Sequence, residues 1–381
     1  MFEVPKRPAR THLPVLVGIV AVLALALTAA ATGSTNTGVL ANTRVSTPIE
    51  GSRALDSGSR IEPSVAVTFR HDRLSRSRAS AALQAYGVWG GVFTTTTGEQ
   101  IQMLASPWYS VNNQWLQDWA NWMSTYLFHN QEFSKLTVLF VTPFEVASVC
   151  GPGAAGCYSA DRALIVIPGN NLSDGTNMAT ILAHEYGHHV AANASNPPWN
   201  ALDSGPKNWA SGANVCARVN AGTAFPGDEG SHYALNPGEA FAETYRLAVY
   251  NSRTWTNGWW NAAPWNSDQS FFPGVAGLSA AQQDALHPWL ASATAQTSLR
   301  GKFTRSRRKS TRQVYTPLDG NVSVTLYRPI GARLTLMDGS SGAILATGSA
   351  SFTFLDCGQR SLRLRVAGGA GQTFRVDVAT P

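Results

Sequence analysis

Charged side chains are scarce in this sequence. Asp, Glu, Lys and Arg together make up 14% of its 381 residues, against 44% hydrophobic. That much apolar material excludes wholesale disorder, because the chain can build a sizeable core. With Gly, Ser, Thr, Asn and Trp plentiful, the composition suits a loop-rich extracytoplasmic protein. Cysteine is sparse as well: Cys150, Cys157, Cys216 and Cys357 are the only four. Four cysteines allow three pairings. Cys150 and Cys157 bracket the flexible loop "CGPGAAGC", which is easily closed on itself and would leave Cys216 to meet Cys357.

Long apolar runs are rare too. One of about 18 residues, "LPVLVGIVAVLALALTAA" at 13–30, follows Lys6, Arg7 and Arg10. A basic flank before such a run reads as a signal peptide or a membrane anchor within residues 1–31, and Ala29 and Ala31 offer a small-x-small cleavage site. In either case the rest of the chain faces outward, secreted or anchored.

Charge of each sign is unevenly placed. Residues 81–294 carry 6 Lys/Arg and 14 Asp/Glu, a net of −8, whereas residues 295–381 carry 13 and 4, a net of +9. The basic stretch "RGKFTRSRRKSTR" lacks interleaved aromatics, and no nucleic-acid-binding module accompanies it, so no nucleic-acid partner is expected. An anionic cell-envelope surface, or the acidic half of the same chain, suits the basic part better.

The pattern divides the chain. Residues 32–80, rich in Ser, Thr, Gly and Arg, read as a flexible linker. Residues 81–294 mix strand and helix signals and form the main domain. Here "TTTTGEQIQMLAS" alternates as a strand or hairpin. "NNQWLQDWANWMSTYLF" puts Trp115, Leu116, Trp119, Trp122, Met123 and Leu127 at helical spacing. "KLTVLFVTP" and "ALIVIPG" are strands. Ser173, Asp174 or Thr176 is placed to cap the amphipathic helix that follows, which should end before Pro197 and Pro198. "NPGEAFAETYRLAVY" opens a helix with Asn236 as cap and Pro237 in its first position. Trp255, Trp259, Trp260 and Trp265 suit packing under loops, and "SAAQQDALHPWLASA" reads as a last helix. Residues 295–313 read as a basic linker. From 314 to 381 a period of two with turn signals indicates a small all-β sandwich, giving an α+β chain overall.

The chemistry concentrates in "ILAHEYGHHV". His184 and His188 stand four apart, on one face of a helix, and can grip one metal ion. Glu185 is placed to take a proton from a metal-activated water. A third ligand is missing locally: Ala191 and Ala194 occupy the positions where an extended H-E-x-x-H-x-x-G-x-x-H needs Gly and His. His189 points about 100° away around the helix, and so is a bystander. The downstream choices are Asp203, Asp228, Glu229, His232, Glu239 and Glu243. Only Glu239 and Glu243 lie one turn apart on a well-marked helix, one as ligand and the other as acceptor for the second N–H of His184. Glu239 also stands where a capping-box glutamate would follow Asn236.

"HEYGH" followed by "EAFAE" resembles the gluzincin metallopeptidases. The preceding "CGPGAAGCYSADRALIVIPG" is similar to the segment before the active helix of bacterial neutral zinc metallopeptidases. The resemblance covers about residues 140–250. It implies a zincin-like domain with one zinc ion on His184, His188 and Glu239, Glu185 as general base, and Glu243 supporting the first histidine. The interval from His188 to Glu239 is longer than in the thermolysin type, and Glu243 replaces the usual Asp. His232, Tyr233 and Tyr186 are the choices for an oxyanion-stabilising group. The expected activity is hydrolysis of a peptide or protein substrate, with strand "ALIVIP" flanking the cleft and aligning the substrate as an added strand. Hydrolysis of cell-wall peptides or amides, and adhesion or wall binding by a catalytically degenerate domain, are the competing expectations.

Overall fold

The computed structural model describes residues 74–85, 87–173, 176–251, 274–287, 295–328, 331–358 and 360–381, all within one compact unit, Ser64–Pro381. The apolar stretch 13–30, Asp174 and the tryptophans Trp255, Trp259, Trp260 and Trp265 lie outside the described residues. Among the described residues no helix is long and apolar enough to cross a membrane.

Helix α1 (Arg76–Ala85) already takes in the last residues of the segment read as a linker to residue 80. The alternating stretch after it becomes a hairpin, β1 (Trp89–Thr94) and β2 (Gln100–Ala105), with Thr94 opposite Gln100. Helix α2 (Asn113–Tyr126) starts at Asn112, whose side chain accepts the Trp115 N–H. It buries Leu116 and Met123 and lays its three tryptophans, partly buried, against the same core. Strand β3 (Thr137–Val141) leads into α3 (Pro143–Cys150) through a capping box between Thr142 and Glu145. Strands β4 (Cys157–Ser159) and β5 (Leu164–Pro168) complete a five-stranded sheet in the order β1-β2-β3-β5-β4.

Strands β2, β3 and β5 run parallel, and every residue of β5 is buried. Alternate residues explain why. Val138, Phe140, Ile165 and Ile167 face the main core, while Leu139, Val141, Leu164 and Val166 face a second cluster with Leu74, Ala79, Val146 and Val149. A strand covered on both faces needs an unbroken apolar run, which "LIVIP" supplies. One expectation is corrected here: β5 is not an edge. Strand β4 folds back from the Cys150–Cys157 disulfide loop and pairs antiparallel with it, Tyr158 opposite Ile165, so an added strand cannot lie along that part of β5. The outer side of β4 is partly taken as well, because the Leu74 N–H donates to the Tyr158 carbonyl at 3.3 Å.

Among the described residues six helices follow: α4 (Met178–Asn193), the short α5 (Ala201–Ser204), α6 (Lys207–Gly212) and α7 (Val215–Asn220), then α8 (Pro237–Asn251) and α9 (Gly274–Leu286). After them come eight strands: β6 (Ala295–Lys302), β7 (Lys309–Thr316), β8 (Gly320–Arg328), β9 (Arg333–Asp338), β10 (Ile344–Gly348), β11 (Ser351–Asp356), β12 (Arg360–Ala367) and β13 (Thr373–Thr380). They form two antiparallel sheets, β10-β9-β12-β7 and β11-β8-β13-β6. One apolar cluster draws Leu334, Leu336 and Leu364 from the first sheet and Val322, Val376 and Val378 from the second. Residues 295–313 are therefore not a linker: β6 and the first half of β7 occupy them. Their inward positions are too few and too weakly apolar to show a period of two. What makes them strands is pairing with β13 and β12, residues far away in sequence.

The chain as a whole is α+β, a mixed sheet and helices followed by all-β sheets. The disulfide Cys216–Cys357 joins α7 to the residue after β11. Both it and Cys150–Cys157 suit an oxidising compartment.

Candidate metal centre

The helix carrying "HEYGHH" is capped by Asn177, whose side chain accepts the Ala179 N–H at 2.8 Å. The cap therefore falls one residue beyond the residues Ser173, Asp174 and Thr176 chosen from sequence. Asn177 is next to the first helical residue, where a short side chain reaches the orphan donors. Helix α4 is buried nearly all round rather than amphipathic, His184, Glu185, His188 and His189 included.

Gly187 explains how a second helix reaches these histidines. A Cβ there would lie 2.8 Å from Ala242 Cα and 3.2 Å from Tyr245 Cβ, so α4 and α8 cross with their backbones nearly touching. Ala242 is flanked by Glu239 and Glu243, and Gly187 by His184 and His188. The crossing point thus sets two acids against two imidazoles. His184 Nε2 lies 3.2 Å from Glu239 Oε2, and His188 Nε2 lies 3.3 Å from Glu239 Oε1. The three residues are buried, and their ligand atoms all lie within 4.8 Å of one another. Tetrahedral ligands at zinc-like bond lengths stand roughly 3.3 Å apart, so the spacing fits a small metal ion with little adjustment. Chemistry and geometry together make this a buried group able to hold a metal.

The surrounding bonds orient the group. The Nδ1–H of His184 donates to Glu243 Oε1 at 2.7 Å, which turns Nε2 toward Glu239. Burial would depress the His184 pKa, but hydrogen bonds with Glu239 and Glu243 outweigh it and push the imidazole up to about 10. A metal ion on Nε2 would take the place of the proton there. Burial would raise Glu243, but Arg246 and His184 hold it down at about 2. Arg246 is fully buried and donates from its guanidinium to Glu243 Oε2 at 2.8 Å. Sequence reading missed Arg246. Its one signal is the interval of three from Glu243, which places the two on one helix face.

Glu239 is not spent on capping. The Asn236 N–H donates to the Tyr233 carbonyl, and the Asn236 side chain accepts from Gly238. The Tyr233 hydroxyl donates to Glu239 Oε2 at 2.6 Å, so Tyr233 belongs to the centre. His232 is held apart from the three ligands. Its Nδ1 meets Asp228 Oδ2 at 2.7 Å and its ring stacks on Phe225 at 3.9 Å. Asp203, Asp228 and Glu229 do not join the ligand group either. Tyr186 points elsewhere, donating to Glu132 Oε1 at 3.0 Å. His189 turns to the same side: its Nε2–H donates to the Glu132 carbonyl at 2.8 Å, and Nδ1 accepts from Tyr158. Burial lowers its pKa to about 4, so it is neutral and structural.

Glu185 lies against the disulfide loop. A Cβ on Gly156 would come within 3.0 Å of Glu185 Oε1 and 3.1 Å of Ile167 Cγ2. Only a glycine leaves room there, so the loop and strand β5 together wall the glutamate.

Comparison with known proteins adds little. No family model and no curated protein matches the chain. Among solved structures, the periplasmic PliG of Aeromonas hydrophila, an inhibitor of g-type lysozyme, matches 24% of this chain and 88% of its own length. The identity is 11% and the TM-score 0.20, a likeness too slight to bear on fold or function.

Proposed function

We propose that the protein is a zinc-dependent hydrolase that cleaves peptide bonds outside the cytoplasm. The observation that carries this reading is the meeting of His184, His188 and Glu239 at ligand spacing, with Glu185 next to the first ligand. Nitrogen and carboxylate donors in a set of three suit zinc, with a coordination position remaining for substrate or water. Bound zinc would supply a Lewis acid that polarises a carbonyl and makes a water acidic.

The chain's own residues then divide the work. Glu185 accepts the proton of the attacking water and returns it to the leaving amine. Its carboxylate is buried, with the disulfide loop at Gly156 and Ile167 of β5 packed beside it. Glu243 holds His184 in one tautomer, and Arg246 holds Glu243 ionised. Tyr233, with its hydroxyl on Glu239, is the oxyanion stabiliser favoured over His232. The two disulfides support export, in keeping with the basic flank and apolar run at the N-terminus.

The test is Glu185→Gln beside the wild type, with metal content measured by elemental analysis and cleavage followed on casein and on purified wall peptides. The variant should keep about one zinc per chain and lose hydrolysis by a factor of roughly 10² or more. Full activity in the variant would end the general-base assignment. Stoichiometric zinc in a wild type that cleaves nothing would turn the reading toward a binding protein.

A further inference from the structure

The cations of the C-terminal sheets are not spread evenly: the strand registers put nine of the thirteen at one end, while Arg312, Arg360, Arg363 and Arg365 lie along β7 and β12. Strand β6 ends at Lys302 and β7 begins at Lys309, and the residues between them form an ordered turn. In that turn the Thr304 N–H donates to the Arg307 carbonyl and the Arg307 N–H to Thr304 Oγ1, both at 3.0 Å. Arg305, Arg307 and Arg308 are therefore displayed at the tip of the turn that crosses from one sheet to the other, all exposed. The Gly368 N–H donates to the Arg308 carbonyl, which ties the tip to the end of β12. In the next row Lys309 and Arg333 flank Ala367 from either side. On the other sheet Arg300, Arg375 and Arg328 stand directly across from one another on three neighbouring strands. Like charges placed directly opposite repel one another, and in this row Asp377 and Tyr327 offset the charge at Arg375.

The carboxylates sit elsewhere. Residues 295–381 hold four, Asp319, Asp338, Asp356 and Asp377. Asp319 and Asp356 are buried at the opposite end, beside the Cys216–Cys357 disulfide. Asp338 closes the turn after β9, accepting from Ser340 and Ser341. Asp377 alone reaches the basic rows, pairing with Arg375 at 3.0 Å.

We infer that this end of the sheets is a docking surface for a linear, non-nucleic phosphodiester polymer. Guanidinium groups match phosphate geometry in a way that other anion-binding side chains do not. The cations occupy the tip and both outer faces, so a flexible chain that wraps the end engages rows that a flat bilayer would leave untouched. Single-stranded nucleic acid is disfavoured because stacked bases need open aromatic platforms, and Tyr327, the exposed aromatic in these rows, already carries Arg375 over its ring at 4.9 Å.

The experiment titrates the full-length protein with poly(glycerol phosphate) at about 50 and about 200 mM salt, by calorimetry. Affinity should fall at least tenfold between the two. The variant Arg305→Glu/Arg307→Glu/Arg308→Glu should lose at least tenfold at low salt, while the corresponding triple Arg→Lys variant, which keeps the charge but not the guanidinium fork, should lose less than that but at least threefold. Unchanged thermal unfolding and metal content in both variants would show that only the surface has been altered. The inference is overturned if the triple Glu variant binds as well as wild type, or if the Lys variant loses as much as the Glu variant. It is equally overturned if single-stranded DNA, duplex DNA or phosphatidylglycerol vesicles bind more tightly than the polymer. Self-association that disappears in the triple Glu variant, without any polymer binding, would reassign the surface to a second copy of the chain.

Discussion

Glu239 and Glu243 are identical residues one helical turn apart, yet their surroundings give them different tasks. Both oxygens of Glu239 face histidine nitrogens at 3.2 and 3.3 Å, whereas Glu243 bridges His184 on one side and Arg246 on the other. Removing the first takes away a ligand; removing the second loosens one. Glu239→Ala should therefore lose zinc almost entirely, while Glu243→Gln should weaken it by roughly 10- to 100-fold, as measured by competition with a chelator. The reverse order would exchange the two assignments. Glu243→Gln also strands the buried Arg246 guanidinium, a loss of about 3–5 kcal/mol. Adding Arg246→Met should recover stability and leave zinc affinity low, which separates folding from coordination.

At the scale of elements, the site is a helix crossing. Neither helix alone carries a complete ligand set, and Gly187 is what lets them meet. Gly187→Ala puts a methyl group 2.8 Å from Ala242 Cα, backbone that cannot swing aside. The expected cost is about 1–3 kcal/mol in denaturant unfolding, with zinc affinity reduced in parallel because the helices are forced apart. A variant with wild-type stability and affinity would show that the crossing tolerates a wider spacing than the geometry implies.

At the scale of the whole molecule, the helices and the C-terminal sheets are fastened by the Cys216–Cys357 disulfide and by a buried cation. Lys207 Nζ donates to the Pro197 carbonyl at 2.6 Å. Burial lowers its pKa to about 8, with Asp319 opposing the shift only in part. The folded value lies below the unfolded one of 10.5, so between them the unfolded chain binds more protons. The cost of the buried charge is full below about pH 8 and is relieved as pH rises toward 10.5. The wild type should therefore gain stability relative to Lys207→Met as pH goes from about 7 to about 10, followed by denaturant titration at each pH. A difference that stays flat with pH would mean that Lys207 is solvated as in water.

Much of this was legible in the residues alone. The hairpin, the strands "TVLFV" and "LIVIP", the helix opened by Asn236 and Pro237, the pairing of the cysteines and the shared helix face of His184 and His188 were all open to a reading of spacing, because period, caps and turns act over a few residues. Glu239 could be selected but not separated from a capping role, since both readings share one position. Arg246, the edge position of β4, and the strands hidden in 295–313 could not be read in advance. Each depends on what lies across the fold: an acid one turn away already bound to histidine, a disulfide loop folding back on β5, and partner strands some 50 to 85 residues downstream in the register. Local chemistry acts between neighbours in the chain. Packing chooses among neighbours in space, and here it turned a basic linker into a sheet and a glycine between two histidines into the point where Glu239 meets them.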